Sequence, residues 1–397
     1  MHGSDRDRVV LSLAVFAVLL SQVQLYPGVP DLVAALGATT DLDASTWFLA
    51  AEFAAYVAFA GVWGAASDAL GKRTPLIVVA GGLAAACYLA LAALPALFAP
   101  DFGVVLAVRI LQGGATVGVL SLSMTMLMDL DGGHGRNMGA AGIAIGSGVA
   151  LGAPLGGILT SIDPLAPLYV AAVLIGVSAT LVALVEDRAP AATGRLRAAL
   201  SSIADTPTLS VPYAFGFVDR LTAGFFSLAG TFYFRDVFGL DAVGTGMTLA
   251  LFFGPFALLQ YPFGTLSDRV GRVPPIAVGS ICYGFAIVAV GLAGELTTVR
   301  ALMVLVGILG ALVAPATMAL VTDLADRDAR GAAMAGFNVA GSLGFLTGIV
   351  LGGTLVGAYD YVTAFAVVGA LEILIVLIAL RALVRLETPS ARVAGVD

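Results

Sequence analysis

The sequence is poor in charge, because Asp, Glu, Lys and Arg make up only 11% of its 397 residues. Soluble globular proteins carry about 25% of such residues. Hydrophobic residues account for 59% of the chain, and their runs are long and do not alternate with polar residues. The sequence therefore predicts an all-α membrane protein, since a helix satisfies its own backbone hydrogen bonds in lipid.

Cysteine and histidine are also scarce, with two residues of each. Cys87 and Cys282 lie within apolar runs, where we predict small buried packing residues. Two cysteines cannot form a disulfide framework or a metal cluster. The sequence shows no Walker motif and no paired nucleophile and base. Its net charge is −7. We therefore expect no enzyme, no cofactor, no bound metal and no nucleic-acid partner.

Twelve apolar stretches are each long enough to cross a bilayer, and they fall into two groups of six. The long polar interval 187–210 is predicted to be a cytoplasmic linker between an N-terminal bundle, 1–186, and a C-terminal bundle, 211–397. The predicted spans, numbered one to twelve, are 9–29, 45–66, 75–98, 103–128, 137–160, 166–185, 211–234, 243–265, 274–294, 298–322, 331–356 and 361–384.

The basic residues predict an orientation. If the N-terminus is cytoplasmic, only Arg235 and Arg300 of the 19 lysines and arginines fall in outer loops, and Arg109 and Arg220 fall within spans. The rest lie in inner segments, as the positive-inside rule requires. We therefore expect a multi-pass protein of the plasma membrane with both termini in the cytoplasm.

A short polar segment occurs twice, as GAASDALGKR at 64–73 after span two and as GTLSDRVGR at 264–272 after span eight. One copy would be explained by a tight, basic inner loop, whereas two copies at equivalent positions favour a conformational latch. The residues of this signature are Gly64, Asp68, Gly71, Lys72 and Arg73 in the first copy and Gly264, Asp268, Gly271 and Arg272 in the second.

On this signature, the sequence resembles the major facilitator superfamily over nearly its whole length. The resemblance implies two pseudo-symmetric six-helix bundles that work by alternating access. In that family the loop latches the two halves in the outward-facing state, and its basic residues contact an acid at the inner end of span four. Asp129 fits that role here, and Asp323 fits it for the second copy.

Two other stretches resemble motifs of the drug:proton antiporter group within that family. LAVRILQGG, residues 106–114, is similar to its fourth-span motif through Arg109, Gln112 and Gly113. Its fifth-span motif has Gly directly before Pro, whereas Ala153 separates the two here. The residues that match the fifth-span motif are Gly139, Gly148, Gly152, Pro154, Gly156 and Gly157.

Glu52 and Arg109 are ionisable residues inside predicted spans, where a charge costs roughly 2.5–3.5 kcal/mol. The two lie at similar depth and could pair, so Glu52 is a candidate proton carrier with a static ion pair as the alternative. The second-half counterpart of Arg109 falls between Met303 and Leu309, in an uncharged stretch. Symmetric packing alone would therefore not require the arginine.

Asp219 and Arg220 interrupt span seven, where Phe215, Asp219 and Phe226 share a helix face. An acid flanked by aromatic rings suits a cationic or amphipathic ligand, with an ion pair to a neighbouring helix as the alternative. Glu372 lies in span twelve, which the resemblance places at the periphery, so we expect it to make a structural or oligomer contact.

Span one also carries a polar patch, in which Gln22 and Tyr26 share a helix face. Interhelical hydrogen bonds would explain such residues. The resemblance implies that they line a central cavity, together with Gln112.

These observations predict a secondary transporter that exports small lipophilic or cationic compounds in exchange for protons, and that is a monomer. The first alternative is a symporter or uniporter for a polar or anionic metabolite, in which Arg109 or Arg220 binds a carboxylate. The second is a membrane sensor that does not transport.

Overall fold

The structure is a computed structural model, and it describes residues 3–97, 101–131, 133–187, 207–326 and 329–387. These residues form helices and connecting loops, without strands. The predicted linker lies largely outside the described residues. The helices that correspond to the twelve predicted spans are Gly3–Val23, Asp41–Leu70, Thr74–Leu97, Phe102–Met128, His134–Ile162, Ala166–Val182, Ser210–Asp236, Ala242–Val270, Val273–Leu292, Leu296–Leu324, Arg330–Ala358 and Tyr361–Glu387.

Nine of these described helices are long and apolar enough to cross a membrane by length and composition. The other three are spans one, six and seven. Span six, Ala166–Val182, is an apolar helix of 17 residues. Span one begins with the charged run Asp5 to Arg8, and span seven is divided by a change of helix type. Each of the three coincides with a predicted span, so the chain is an all-α membrane protein with twelve spans.

The described residues divide into two compact units. The first contains 3–187 and the segment 230–250, which is the end of span seven and the beginning of span eight. The second contains 207–229 and 251–387. In the first unit, span one packs on spans four, five and six, and span three packs on spans four and six. In the second unit, the pairings recur as span seven on ten, eleven and twelve and span nine on ten and twelve.

Glycines allow the closest of these helix pairs to form. A Cβ atom on Gly148 would lie 3.0 Å from the carbonyl oxygen of Phe16 in span one, and one on Gly156 would lie 1.9 Å from that of Gln24. Gly344 of span eleven approaches the carbonyl oxygen of Phe217 in span seven in the same way, at 2.0 Å. Small residues permit such backbone contact in lipid, where packing holds helices together. The glycine run therefore has a packing role in both halves.

Three local features differ from the sequence-based expectations. Span one ends at Val23, and a separate helix, Val29–Ala35, follows the proline-rich turn. Span seven contains a π-helical turn, Phe226–Gly230, between two α-helical segments. The expectation that both cysteines are buried is wrong for Cys282, which is exposed on the surface of its helix, whereas Cys87 is buried. An apolar run does not specify which helix face contacts lipid.

Candidate functional site

The most prominent polar site of the first half is an ion pair between spans two and four. Arg109 Nη2 donates a hydrogen bond to Glu52 Oε2 at 2.6 Å, and both side chains are 0% exposed. Arg109 Nη1 donates to Gln112 Oε1 at 2.6 Å, and Gln112 Nε2 contacts Glu52 Oε1 at 3.3 Å and Thr116 Oγ1 at 2.7 Å. The pair that the sequence suggested is therefore present as a closed hydrogen-bonded network.

The surroundings of Arg109 further stabilise its charge. Its Nε donates to the carbonyl oxygen of Phe48 at 3.4 Å, and its guanidinium carbon lies 4.4 Å from the centre of the Phe48 ring. The ring of Tyr88 lies 5.9 Å away. Such contacts with aromatic faces favour a desolvated guanidinium.

Gly113 sets the separation of spans two and four at this site. A Cβ atom on Gly113 would lie 2.9 Å from both the Cα and the carbonyl oxygen of Glu52. Because Arg109 and Gln112 lie within one helical turn of Gly113, this approach brings both side chains to the carboxylate. The arginine, glutamine and glycine of the fourth-span motif thus act together in the geometry.

The second half has the same helix approach without the charges. A Cβ atom on Gly307 of span ten would lie 2.3 Å from the carbonyl oxygen of Phe252 in span eight. Gly307 therefore corresponds to Gly113, and Phe252 corresponds to Glu52. Met303, four residues before Gly307, corresponds to Arg109, and it is buried like Phe252. The fold packs this position well with a methionine and a phenylalanine.

A second group of buried acids lies in the second half. Asp219 is buried, and its Oδ1 makes no hydrogen bond to the described residues. Glu372 is 1% exposed and accepts a hydrogen bond from Thr222 Oγ1 at 2.8 Å. The Glu372 side chain points to span seven within its own half, and its hydrogen bond with Thr222 is a structural contact of the kind expected for it. A position in the sequence of a peripheral helix does not show which of its faces points inward.

The other predicted site residues are also placed. Arg220 is half-buried, and its Cγ lies 3.2 Å from a Cβ position on Gly341 in span eleven. Phe215 is buried in the second-half core, and Phe226 packs with its ring centre 5.5 Å from that of Phe252 and 5.7 Å from that of Phe365. Since Phe226 starts the π-helical turn, regular α-helical spacing ends there.

Gln22 lies in the last turn of span one, and Tyr26 lies in the turn that follows, so the prediction that they share a helix face is wrong because the helix ends at Val23; both residues are buried. The carbonyl oxygen of Tyr26 accepts a hydrogen bond from Thr231 Oγ1 at 3.2 Å, next to the π-helical turn. A role of these residues in lining a cavity stays a prediction.

The two loop signatures each form an ion pair with the acid expected for them. Arg73 Nη1 lies 2.6 Å from Asp129 Oδ2, and Arg272 Nε lies 2.9 Å from Asp323 Oδ2. Arg272 also contacts Asp268. Burial by itself lowers the pKa of Arg272, but its hydrogen bonds with Asp323 and Asp268 outweigh that effect and raise it.

The positions of the two helices show that Arg272 corresponds to Arg73 and not to Lys72. Arg73 directly precedes span three, which begins at Thr74, and Arg272 directly precedes span nine, which begins at Val273. The second loop is one residue shorter, and the residue it lacks is the counterpart of Lys72, which is exposed. A left-handed glycine, Gly71 with φ 60° or Gly271 with φ 89°, makes the tight turn in both loops.

Two further interactions were missed from the sequence. The Asp187 carboxylate accepts hydrogen bonds from the backbone amides of Arg73 at 3.0 Å and Thr74 at 3.3 Å, so it caps span three from a distant part of the chain. At the other end of the first unit, Arg235 forms an ion pair with Asp31. A short polar motif can signal a local cap, but it carries no information about partners more than a hundred residues away.

Comparison with known proteins gives a consistent result for fold. The chain matches the Major Facilitator Superfamily over residues 11–241 and again over 212–397. A transporter from Methanocaldococcus jannaschii, described as an uncharacterised MFS-type transporter, is 31% identical over 138 residues. That alignment covers 34% of this chain and 36% of the relative, so the chain spans about a third of the length of this curated relative.

Several solved structures share the architecture at low sequence identity. The human organic anion transporter MFSD10 superposes with a TM-score of 0.70 at 17% identity, over 95% of this chain and 99% of that one. The nucleoside transporter NupG gives 0.75 at 13% identity, over 96% and 99% of the two chains. A D-xylose-proton symporter gives 0.72 at 14% identity, over 93% and 96%. With the helical repeat and both loop signatures in place, the chain belongs to the major facilitator superfamily of membrane transporters.

Proposed function

We propose that this protein is a proton-coupled secondary transporter that exports small lipophilic or cationic compounds by alternating access. Glu52 carries the coupling proton in this proposal, and Arg109 and Gln112 control its release. The protein works as a monomer in the plasma membrane, with both termini in the cytoplasm. Asp219 supplies a second carboxyl group, and the two loop signatures act as conformational latches.

The observation that carries the proposal is the asymmetry between the two halves. The buried Glu52–Arg109 pair has an apolar counterpart, Phe252 with Met303, at the same helix approach. Replacing a buried ion pair with apolar residues is often neutral or stabilising, so packing gives little reason to keep the charges. Placing these charged side chains inside the membrane costs free energy, and packing gains nothing from them. This combination indicates that the charges have a function.

The geometry supports a simple cycle of protonation. The Glu52 carboxylate is stabilised by the hydrogen bond from Arg109 Nη2 and by the contact with Gln112 Nε2. Protonation of Glu52 would cancel its charge and weaken the pair, leaving Arg109 to its contacts with Gln112 and Phe48. A change at this position alters the contact between spans two and four, because Gly113 lies directly against Glu52. Proton binding is thereby linked to helix packing.

One observation favours this function over transport of an anionic metabolite with Arg109 as its ligand. The described hydrogen bonds of Arg109 already use its Nε, Nη1 and Nη2 atoms, and its charge is paired with Glu52. An anion would have to displace an internal carboxylate. Arg220 lies beside Asp219 but forms no ion pair or side-chain hydrogen bond among the described residues, so it is the candidate anion ligand in that alternative.

The test is transport in proteoliposomes with an imposed pH gradient and an internal pH dye. Lipophilic cations and small organic anions are added in turn, and proton movement is followed together with uptake of the compound. We expect cations to dissipate the gradient in wild-type protein, Glu52→Gln to abolish that signal, and Glu295→Gln, at an exposed acid, to leave it unchanged. Uptake of an anion without proton movement would overturn the proposal.

A further inference from the structure

The acids of the second half form a polar cluster that is separate from the Glu52–Arg109 pair. Thr222, which donates a hydrogen bond to Glu372 at 2.8 Å, lies one helical turn after Asp219 on span seven. The Asp219 Oδ1 atom is buried and makes no hydrogen bond to the described residues. Because Asp219 and Thr222 share a face of span seven, the hydrogen bond from Thr222 places the Glu372 carboxyl group on the same side of that helix as Asp219. Spans seven and twelve thus bring two buried carboxyl groups into one cluster.

The first half shows that packing does not require an acid on span twelve. A Cβ atom on Gly369 of span twelve would lie 2.5 Å from the carbonyl oxygen of Gly284 in span nine. In the first half, a Cβ atom on Gly176 of span six would lie 3.6 Å from the Cβ atom of Ala85 in span three. Glu372 lies three residues after Gly369, and Ala179 lies three residues after Gly176. The counterpart of Glu372 is therefore a buried alanine.

Span seven gives the same result for Asp219. A Cβ atom on Gly348 of span eleven would lie 2.8 Å from the amide nitrogen of Phe225. A Cβ atom on Gly152 of span five would lie 3.3 Å from the amide nitrogen of Gln24, so Phe225 and Gln24 are equivalent. Asp219 lies six residues before Phe225, and Val18 lies six residues before Gln24. The counterpart of Asp219 is therefore a fully buried valine. Both acids therefore occupy positions that the other half fills with apolar side chains.

The charges around the cluster do not balance two carboxylates. Arg220, beside Asp219 on span seven, interacts with it electrostatically, but its stem packs against Gly341 of span eleven. Among the described residues, Tyr283 of span nine lies near both acids, and its hydroxyl group is neutral at physiological pH. Two ionised carboxyl groups in this setting would repel each other at low dielectric, whereas one shared proton halves the charge.

We propose that Asp219 and Glu372 titrate as a coupled pair that shares one proton in the sense that only one of the two carboxyl groups is protonated at a time. They form a second proton site in this protein, with Glu372 as an additional coupling residue. Thr222 holds the Glu372 carboxyl group on the side of span twelve that faces Asp219. The inference deepens and rests on the proton-coupled transport proposed above. It assigns to Glu372 a role within its own half, in addition to the structural contact with Thr222.

Infrared difference spectroscopy of the purified full-length protein in liposomes tests this proposal, because protonated carboxyl groups have their own carbonyl band. A pH titration is recorded for wild type, Asp219→Asn, Glu372→Gln and the double variant Asp219→Val with Glu372→Ala. The double variant copies Val18 and Ala179 of the first half and is the control for folding. Its spectrum also identifies the bands that belong to the pair.

We expect the pair to titrate in two steps at least about one pH unit apart, as coupled carboxyl groups do. Each single variant should lose the step at higher pH, and the double variant should lose both steps. If the carboxyl band of Asp219 titrates at the same pH in wild type and in Glu372→Gln, the two groups are not coupled and the proposal is wrong. A titration that moves when sodium chloride replaces choline chloride would also overturn it, in favour of a cation site.

This measurement is independent of the transport assay. Two coupled steps without proton movement during transport would retain the shared proton and reject the proposed function. Proton-coupled transport without coupled steps would do the opposite. In the transport assay itself, Glu372→Gln should shift the pH profile by about one pH unit, which a structural role in holding span twelve would not do.

Discussion

Glu52 and Phe252 occupy equivalent positions in the two halves, each lying against a glycine of a neighbouring helix. Gly113 meets the backbone of Glu52, and Gly307 meets the backbone of Phe252. One position carries half of a buried ion pair, and the other carries an aromatic ring packed in a core. The protein thus contains its own comparison for what the charge adds to the fold.

This comparison predicts the behaviour of a symmetrised variant, Glu52→Phe with Arg109→Met. Because the second half packs the same residues at this site, we expect the variant to fold with a melting temperature close to that of wild type. Proton-coupled transport should be lost. By contrast, Glu52→Ala alone should destabilise the protein by about 3–5 kcal/mol, since it leaves Arg109 buried without its counter-charge. Thermal unfolding in detergent and the proteoliposome assay measure both effects. A symmetrised variant that still moves protons would exclude the pair from coupling.

The glycines of span five provide a second prediction, with a matched control in the same helix. Gly156→Ala would place a Cβ atom 1.9 Å from the carbonyl oxygen of Gln24, so spans one and five would have to separate. We expect a loss of roughly 1–3 kcal/mol in unfolding free energy. Gly139→Ala meets no atom within 4 Å and should be neutral or stabilise the helix by about 0.5–1 kcal/mol. Equal effects of the two substitutions would contradict the packing role.

The two bases of the first loop should differ in their contributions. Arg73 is buried and bonded to Asp129, whereas Lys72 is exposed. Because Asp129 is 37% exposed, solvent screens the pair, and we expect about 1 kcal/mol or less from the charges plus a loss of packing from the arginine stem. Lys72→Ala should change stability by less than about 0.5 kcal/mol. Denaturation of the two alanine variants, side by side, is the measurement, and a larger effect at Lys72 would reverse the assignment.

The ion pair of Asp31 with Arg235 should contribute little to stability. Its side chains are 39% and 16% exposed, so a double-mutant cycle with Asp31→Asn and Arg235→Gln should give a coupling energy below about 1 kcal/mol. Added salt should reduce that energy further. A coupling of several kcal/mol would mean that the pair is desolvated and restrains the end of span seven against the helix Val29–Ala35.

Most of the fold follows from the sequence because hydrophobic runs of sufficient length have few alternatives to spanning helices. The bounds predicted for span four, 103–128, differ from the observed Phe102–Met128 by one residue. Helix type within a run is not predictable in this way. Nothing in the apolar sequence of Phe226–Gly230 signals a π-helical turn, because that turn depends on packing around it.

The site was only partly predictable for a related reason. The depth of Glu52 and Arg109 could be derived from the rise of a helix, so their pairing could be suggested. The side of span twelve on which Glu372 lies could not be derived, because the residues on either side of it, VVGAL and ILIVL, are all apolar or glycine. The counterpart of Arg109 stayed open from the sequence alone, and the contacts of Gly113 and Gly307 identify it as Met303.

The π-helical turn of span seven has a consequence for every residue that follows it. It accommodates one residue more than an α-helical turn does, so a chain without that residue would present the next segment rotated by about 100° and displaced by about 1.5 Å. Thr231 would then no longer point at the carbonyl oxygen of Tyr26, and Arg235 would no longer point at Asp31. A single additional residue in the middle of the helix thus determines which side chains of its last segment face the turn at Tyr26 and the helix Val29–Ala35.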